Sequence, residues 1–167
     1  MTDARRLNEF DLIAWIRAQT PHSPSVPVGI GDDAAALRLP PGALALVTTD
    51  MLIDGRHFLS ADAAPRQIGH KAVARSLSDI AAMAGDPLAV VVALAAPPRM
   101  TPDYFRELFA GMKAAADALD TPLVGGDISS ADMPLTLTVT SLGTAMPDAV
   151  VRRSGARPGD ALLVTGE

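Results

Sequence analysis

Aspartates occur in four places in this sequence where a metal ion or a phosphate could bind. Each lies beside glycines or hydroxyl residues, in the segments Gly29-Ile30-Gly31-Asp32-Asp33, Thr48-Thr49-Asp50, Ser76-Leu77-Ser78-Asp79 and Gly125-Gly126-Asp127. Carboxylates and hydroxyls are hard oxygen ligands of the kind that Mg²⁺ takes. Neighbouring glycines let the backbone approach a phosphate and offer it N–H donors. The pattern therefore predicts magnesium ions beside a phosphorylated ligand.

Each of these positions taken alone also has a structural explanation. An aspartate after glycine commonly forms a turn, and Asp79, in an alanine-rich helix, can simply face solvent. His57 can be a surface residue, and Arg152 and Arg153 can be solvated charges. The functional interpretation therefore depends on the four aspartate segments occurring together.

The known nucleotide-binding loops do not fit this sequence. The segment 29–34 matches a dinucleotide fingerprint ending in alanine, but prolines precede it and a strand is expected after it, where that motif needs a strand and then a helix. The Gly-Lys-Ser/Thr phosphate loop is absent, and Lys71 and Lys113 are the only lysines. A nucleotide would therefore be held through metals, backbone and arginine.

Composition excludes several classes of function. The 167 residues are 49% hydrophobic, which excludes a disordered chain, and the net charge of −5 without a basic stripe argues against nucleic acid. The absence of cysteine excludes disulfides, thiolate catalysis and sulfur-ligated zinc. The first residues lack the apolar run of a signal peptide, and the longest apolar stretch, 88–96, is too short to span a bilayer. We expect a cytoplasmic protein with no membrane partner.

The hydrophobic pattern predicts an α+β fold with a mixed, largely antiparallel sheet and helices packed on one face. Three helices are expected, starting near Leu7, at Pro65 and at Thr101, and Gly85 is the expected cap of the second. A hairpin is expected around Pro40-Pro41-Gly42. The predicted strands cover residues 35–39, 43–49, 88–96, 122–125, 134–142 and 161–165.

Two units are expected along the chain. Residues 1–150 would form an amino-terminal domain that binds magnesium and ATP. Residues 151–167 would be a linker followed by the first strand of a truncated carboxy-terminal domain, because the strand expected at 161–165 has no visible partner after it.

The order of the motifs closely resembles thiamine-monophosphate kinase, a member of the aminoimidazole ribonucleotide synthetase superfamily. The resemblance runs from about Phe10 to the last residue, and several ordered motifs are more specific than any single one. It rests on Gly29 to Ala34, Thr48 to Asp50, Asp54-Gly55-Arg56-His57-Phe58, Leu77-Ser78-Asp79 through Gly85-Asp86-Pro87, Gly125-Gly126-Asp127 and Arg153-Ser154-Gly155 through Asp160.

The resemblance implies that the γ-phosphoryl group of ATP is transferred to thiamine monophosphate, giving thiamine diphosphate. It also implies a homodimer in which the sheets of two amino-terminal domains join into a shared barrel. His57 would contact the thiamine substrate, and Gly126, Asp127 and Arg153 would contact ATP. The implied ligands of several magnesium ions are Asp33, Thr48, Thr49, Asp50, Asp79 and Asp127.

The chemistry of this reaction needs no acid–base or nucleophilic side chain. A phosphate monoester loses its second proton at a pH of about 6, so the attacking oxygen is already largely an anion at neutral pH. Catalysis then consists of holding two polyanions in line and neutralising their charge. Aspartates that bind magnesium are suited to that task.

The chain departs from the family in length, because members are about twice as long and their second half carries another aspartate motif. We therefore expect this chain alone to be an incomplete, weakly active or inactive half. One alternative is another enzyme of the superfamily, of the selenophosphate synthetase or hydrogenase maturation type. The other is a non-catalytic dimerisation or metabolite-binding module.

Overall fold

The computed structural model describes residues 9–20 and 23–164. Within these ranges the chain forms three α-helices, four strands and one short 3₁₀ helix, Arg153–Gly155. The helices are α1 (Glu9–Gln19), α2 (Pro65–Ala82) and α3 (Pro102–Asp117). The strands are β1 (Leu44–Ile53), β2 (Asp86–Ala96), β3 (Leu123–Ser130) and β4 (Thr136–Ala145). The predicted start of α1 at Leu7 lies outside the described residues.

The four strands form one sheet in the order β1-β4-β2-β3. Strand β4 runs antiparallel to both β1 and β2, whereas β2 and β3 are parallel. A parallel pair needs a crossover connection, and α3 provides it. The prediction of a mixed, largely antiparallel sheet is thus confirmed, and β1 and β3 are its two edges.

The core lies between the sheet and the helices. Leu52, Val90, Leu137 and Val139 contribute to it from the strands, and α2 and α3 cover them with apolar side chains that include Ile68 and Leu108. Helix α2 is also fixed by a buried polar contact. Ser141 Oγ donates to Ser76 Oγ (2.8 Å), and Ser76 Oγ donates to the carbonyl oxygen of Val139 (3.3 Å).

Helices α2 and α3 approach each other at two glycines. A Cβ atom on Gly69 would lie 2.0 Å from the carbonyl oxygen of Leu108, and one on Gly111 would lie 1.9 Å from that of Arg66. No side chain fits at such distances, so the close packing of the two helices requires glycine at both positions.

The predicted start of α3 is confirmed, because Thr101 Oγ1 accepts a hydrogen bond of 3.2 Å from the backbone N–H of Tyr104. The apolar spacing of the helix predicts that Leu119 lies on its buried face, but Leu119 lies beyond the end of α3 and is 52% exposed.

The predicted cap of α2 is wrong by one residue. Ala84, with φ of 54°, adopts the left-handed conformation that was expected of Gly85. A Cβ atom at Gly85 would lie 2.4 Å from Leu46 Cδ1, so a larger residue there would require the Leu46 side chain to move. Ala84 is exposed.

The predicted hairpin between residues 35–39 and 43–49 is also wrong. The turn exists, since the N–H of Ala43 donates to the carbonyl oxygen of Pro40 (3.2 Å), but β1 pairs with β4. Residues 35–39 form no strand and share only a bridge with Val28. Ala35 and Leu37 instead lie partly buried against the cluster of Val26, Ala89 and Val124, whereas Leu39 is 46% exposed.

All four strands extend beyond one of their predicted ends, β1 and β3 the furthest. Strand β1 continues to Ile53 and β3 to Ser130, so Thr48 to Asp50 and Gly125 to Asp127 lie within strands rather than at strand ends or in a turn. Residues 161–164 are exposed and lie in no strand of the described chain, and the strand predicted there as part of a second domain stays a prediction. Thr165 lies outside the described residues.

In the part of the chain that the structure covers, none of the helices combines the length and apolarity needed to cross a lipid bilayer.

We expect Gly69→Ala to destabilise the fold. Overpacking costs about 3 kcal/mol, and the better helix propensity of alanine returns only about 1 kcal/mol, so the net loss is about 2 kcal/mol. Urea denaturation measures this loss. The control is Gly155→Ala, because a Cβ atom there would meet no atom within 4 Å. Equal stability of the two variants would contradict the close packing of α2 and α3.

Candidate functional site

Strand β1 and helix α2 bring together three of the predicted metal ligands. Thr48 and Asp50 alternate with Thr49 on β1 and face α2, where Arg75 and Asp79 lie one helical turn apart. Thr48 Oγ1 donates to Asp79 Oδ2 at 2.8 Å, and Arg75 Nε lies 3.2 Å from Asp50 Oδ1. We call Thr48, Asp50, Arg75 and Asp79 the β1–α2 group.

Asp50 leaves one oxygen without a partner. Its Oδ2 atom is buried and accepts no hydrogen bond within the described residues. A buried carboxylate oxygen without a donor costs free energy. The donor set of this group, two carboxylates and a hydroxyl, fits a hard divalent cation such as Mg²⁺.

Thr49 is separated from its two neighbours. Its side chain lies on the opposite face of the sheet, where Thr49 Oγ1 and Thr140 Oγ1 are 3.2 Å apart. The structure therefore places Thr48 and Asp50, but not the side chain of Thr49, beside Asp79.

A cavity of about 640 Å³ brings together three of the other predicted residues, Asp33, Gly126 and Asp127. It lies between the loop 30–35 and strand β3, with α1 and α3 supplying apolar walls. Asp32 and Asp33 line it from the loop, and Gly126 and Asp127 line it from β3. Asp127 Oδ2 accepts a hydrogen bond of 3.3 Å from Ser129 Oγ, and Asp32 Oδ1 accepts one of 3.1 Å from the N–H of Asp33.

Two glycines of this cavity have steric roles. A Cβ atom on Gly126 would lie 2.1 Å from the carbonyl oxygen of Val92, so β2 and β3 could not pair closely there with a larger residue. Gly31 has φ of +121° and lies against the guanidinium group of Arg17. Both glycines also leave the backbone open to a ligand.

The predicted metal ligands do not form one cluster within the chain. The β1–α2 group lies at one edge of the sheet and Asp127 at the other, three strand spacings or about 14 Å away. Among residues 9–20 and 23–164, no three His, Asp or Glu side chains are arranged to hold a metal ion together. The chain thus presents two partial sites.

His57 is held in the loop that follows β1. The N–H of Ile53 donates to His57 Nδ1 at 3.1 Å, and Lys71 Nζ donates to the carbonyl oxygen of His57 at 2.6 Å. Because Nδ1 accepts this bond, Nε2 carries the ring proton and remains the nitrogen that can donate to a ligand.

Asp54 connects the two ends of the same loop through hydrogen bonds with Ser60. Its Oδ1 accepts from the N–H of Ser60 (2.9 Å) and its Oδ2 from Ser60 Oγ (2.5 Å). Burial raises the pKa of Asp54, but the hydrogen bonds from Ser60 and Gly55 and the charge of Arg99 outweigh it, so the pKa lies below its usual value.

Tyr104 packs near this loop. Its hydroxyl is buried and has no hydrogen-bond partner among the described residues. Burial, together with the charge of Asp54, raises the pKa of Tyr104, so the hydroxyl remains protonated at neutral pH.

Arg153, the predicted ATP contact, begins the 3₁₀ helix and is exposed. Within the described residues it makes no ion pair. The structure does not bring it to the cavity or to the β1–α2 group.

Sequence reasoning missed Arg75 and Ser60. Arg75 lies four residues before Asp79, a spacing that puts both on one face of a helix, so its position beside the acidic group was available from the pattern. The partnership of Ser60 with Asp54 had no such signal, because it depends on the path of an irregular loop.

The comparisons with known proteins agree with this architecture. The family model described as AIR synthase related protein, N-terminal domain, matches residues 31–145. Thiamine-monophosphate kinase of Bacillus subtilis is 40% identical over 161 residues, which cover 96% of this chain and 50% of that protein. The enzyme of Corynebacterium glutamicum is 40% identical over 165 residues, covering 96% and 47%.

Solved structures show the same fold. The crystal structure of thiamine-monophosphate kinase from Stenotrophomonas maltophilia K279a matches with a TM-score of 0.77 and 37% identity, over 92% of this chain and 47% of that one. AaThiL complexed with AMPPCP and TMP matches with a TM-score of 0.65 and 32% identity, over 90% and 46%.

The chain spans about half the length of the curated relatives that it matches. The family match nevertheless covers β1 to β4 and the aspartate segments described above. The chain therefore belongs to the family of AIR synthase related proteins, of which it matches the N-terminal domain.

Proposed function

We propose that this chain supplies the magnesium- and ATP-binding half of a thiamine-monophosphate kinase, which transfers the γ-phosphoryl group of ATP to thiamine monophosphate. The observation that carries the proposal is the β1–α2 group, in which Asp50 keeps a buried oxygen without a partner beside the Thr48–Asp79 pair. The similarity to thiamine-monophosphate kinases along nearly the whole chain supports the substrate.

The residues of the chain would bind and orient the substrates. Magnesium, when bound, would neutralise the phosphates of both. Gly126 would offer its backbone to ATP, with Arg153 as a second contact, and His57 Nε2–H would face the thiamine substrate. The proposed metal ligands are Thr48, Asp50 and Asp79 in the β1–α2 group, with Thr49, Asp33 and Asp127.

We further propose that the two partial sites are united in a homodimer. The β1–α2 group and Asp127 lie at opposite edges of one sheet, too far apart to hold the same ion. Pairing the β1 edge of one copy with the β3 edge of another would bring them together and close the two sheets into a barrel. The exposed apolar residues Val47 (66%) and Met51 (50%) on β1 support burial of this edge region.

We expect this chain to bind a non-hydrolysable ATP analogue only when magnesium is present. Asp79→Asn should weaken that binding at least about tenfold, because removing a charged ligand of the metal costs several kcal/mol. Calorimetric titration measures the affinity. Asp132→Asn, which removes an equal charge from an exposed turn, should bind like the unmodified chain. Binding that is independent of magnesium would contradict the proposal and favour a metabolite-binding module.

The shared site predicts complementation between two inactive variants. Asp50→Asn and Asp127→Asn should each bind the analogue poorly. An equal mixture, unfolded and refolded together, should regain about one quarter of the sites, because half of the dimers are mixed and each has one intact site. Adding Val47→Asp to both chains should prevent this recovery. No recovery in a mixture that forms dimers would show that the two aspartates do not meet across the interface.

The stability of the loop that holds His57 should depend on the hydrogen bonds from Ser60 to Asp54. Because the pKa of Asp54 is lowered on folding, its stabilising contribution is present above about pH 3.8, its usual value, and is lost as the pH falls below it. Ser60→Ala should therefore lower stability by about 1 kcal/mol at pH 7 and flatten the acid dependence. Denaturation between pH 7 and pH 3 tests this, with Ser129→Ala as the control for an exposed Ser–Asp pair. An unchanged acid dependence would contradict the role given to Ser60.

A further inference from the structure

Arg75 is the one member of the β1–α2 group that repels a metal ion. It lies on α2 one turn before Asp79, and its Nε atom is 3.2 Å from Asp50 Oδ1. Arg75 cannot be a ligand of the metal, because a guanidinium group has no lone pair to donate and its positive charge repels a metal ion.

The two oxygens of Asp50 differ in their access to solvent. Oδ2 is buried and contacts no donor in the described chain, while the remaining exposure of this side chain, 16%, belongs to its other atoms. Arg75 takes Oδ1 through a single nitrogen, so the pair is not the two-bond fork that a guanidinium group can form with a carboxylate. The oxygen that an incoming ion would reach first is thus the one that Arg75 holds.

The contact of Arg75 with Asp50 is also weak enough to be displaced. Its side chain is 45% exposed, and ion pairs with that much exposure contribute only up to about 1 kcal/mol. Such a contact can keep Asp50 neutralised in the metal-free protein and can still be displaced by a divalent ion.

We infer that Arg75 acts as an internal counter-cation, which occupies Asp50 until magnesium displaces it and so sets the magnesium affinity of the site. This inference rests on the proposed function, because it assigns the displaced position to the proposed metal site. It adds a regulatory residue that is not itself a ligand. Arg75 neutralises the carboxylate in the empty protein and weakens metal binding by competition.

The test is titration of this chain with MgCl₂, followed by calorimetry, for the unmodified protein and for Arg75→Gln. Removing the competitor should tighten magnesium binding by about three- to fivefold, the fold-change that corresponds to a contact of up to about 1 kcal/mol. Arg75→Lys keeps the charge and should remain within about twofold of the unmodified protein.

The matched control is Arg66→Gln on the same helix. Arg66 forms an exposed ion pair with Glu107, in which Arg66 Nη1 lies 3.9 Å from Glu107 Oε2. The substitution removes the same charge as Arg75→Gln and should leave magnesium affinity unchanged within about twofold. An equal gain in Arg66→Gln would show a general charge effect and overturn the role given to Arg75.

The remaining outcomes are also decisive. Unchanged or weaker binding in Arg75→Gln would overturn the inference but leave the metal site standing, because weaker binding would mean that Arg75 orients Asp50 for the ion. No binding of magnesium to any variant would overturn the metal site of the proposed function, and the competition with it. Circular dichroism of each variant establishes that it is folded.

Discussion

The buried hydroxyl contact between Ser76 and Ser141 determines where the acidic groups of this chain can meet. Ser76 lies between Arg75 and Leu77 on α2 and bonds both to Ser141 and to the backbone of β4 in an otherwise apolar core. A hydroxyl buried among apolar side chains costs free energy in any position where it loses its partners. The contact therefore penalises sliding of α2 along the sheet, and it keeps Asp79 opposite Thr48.

The position of α2 also explains why the β1–α2 group lies at the border of the apolar core. The glycines at 69 and 111 let α3 pack closely beside α2, and together the helices cover one face of the sheet. Strand β1 lies at the edge of this cover, so its inward residues change along the strand from buried Leu52 to partly exposed Asp50 and Thr48. The acidic group is half shielded from water, which strengthens its attraction for cations and leaves it accessible to them.

Much of the fold could be predicted from the sequence because its signals are local. Proline after a capping threonine fixed the start of α3, and helical periodicity identified the face of α2. Apart from the ends of α2 and α3, the errors concern partners that lie far apart in sequence. The apolar residues at 35–39 suggested a strand, but Ala35 and Leu37 pack beside Val124 instead of pairing with β1. Likewise, glycine suggested a turn at 125–126, whereas Gly126 permits the close approach of β2.

In the candidate site, too, the sequence did not predict which distant residues lie close together. Motif order selected the proposed ligands, and the chain places them at two edges of one sheet. Phosphoryl transfer between polyanions requires charge neutralisation within a few ångströms of the transferred group, so ligands about 14 Å apart cannot serve it while they remain apart. The order of motifs along a sequence does not show how far apart in space their residues lie. Two groups of candidate ligands at opposite edges of the sheet are the observation from which the proposed shared site follows.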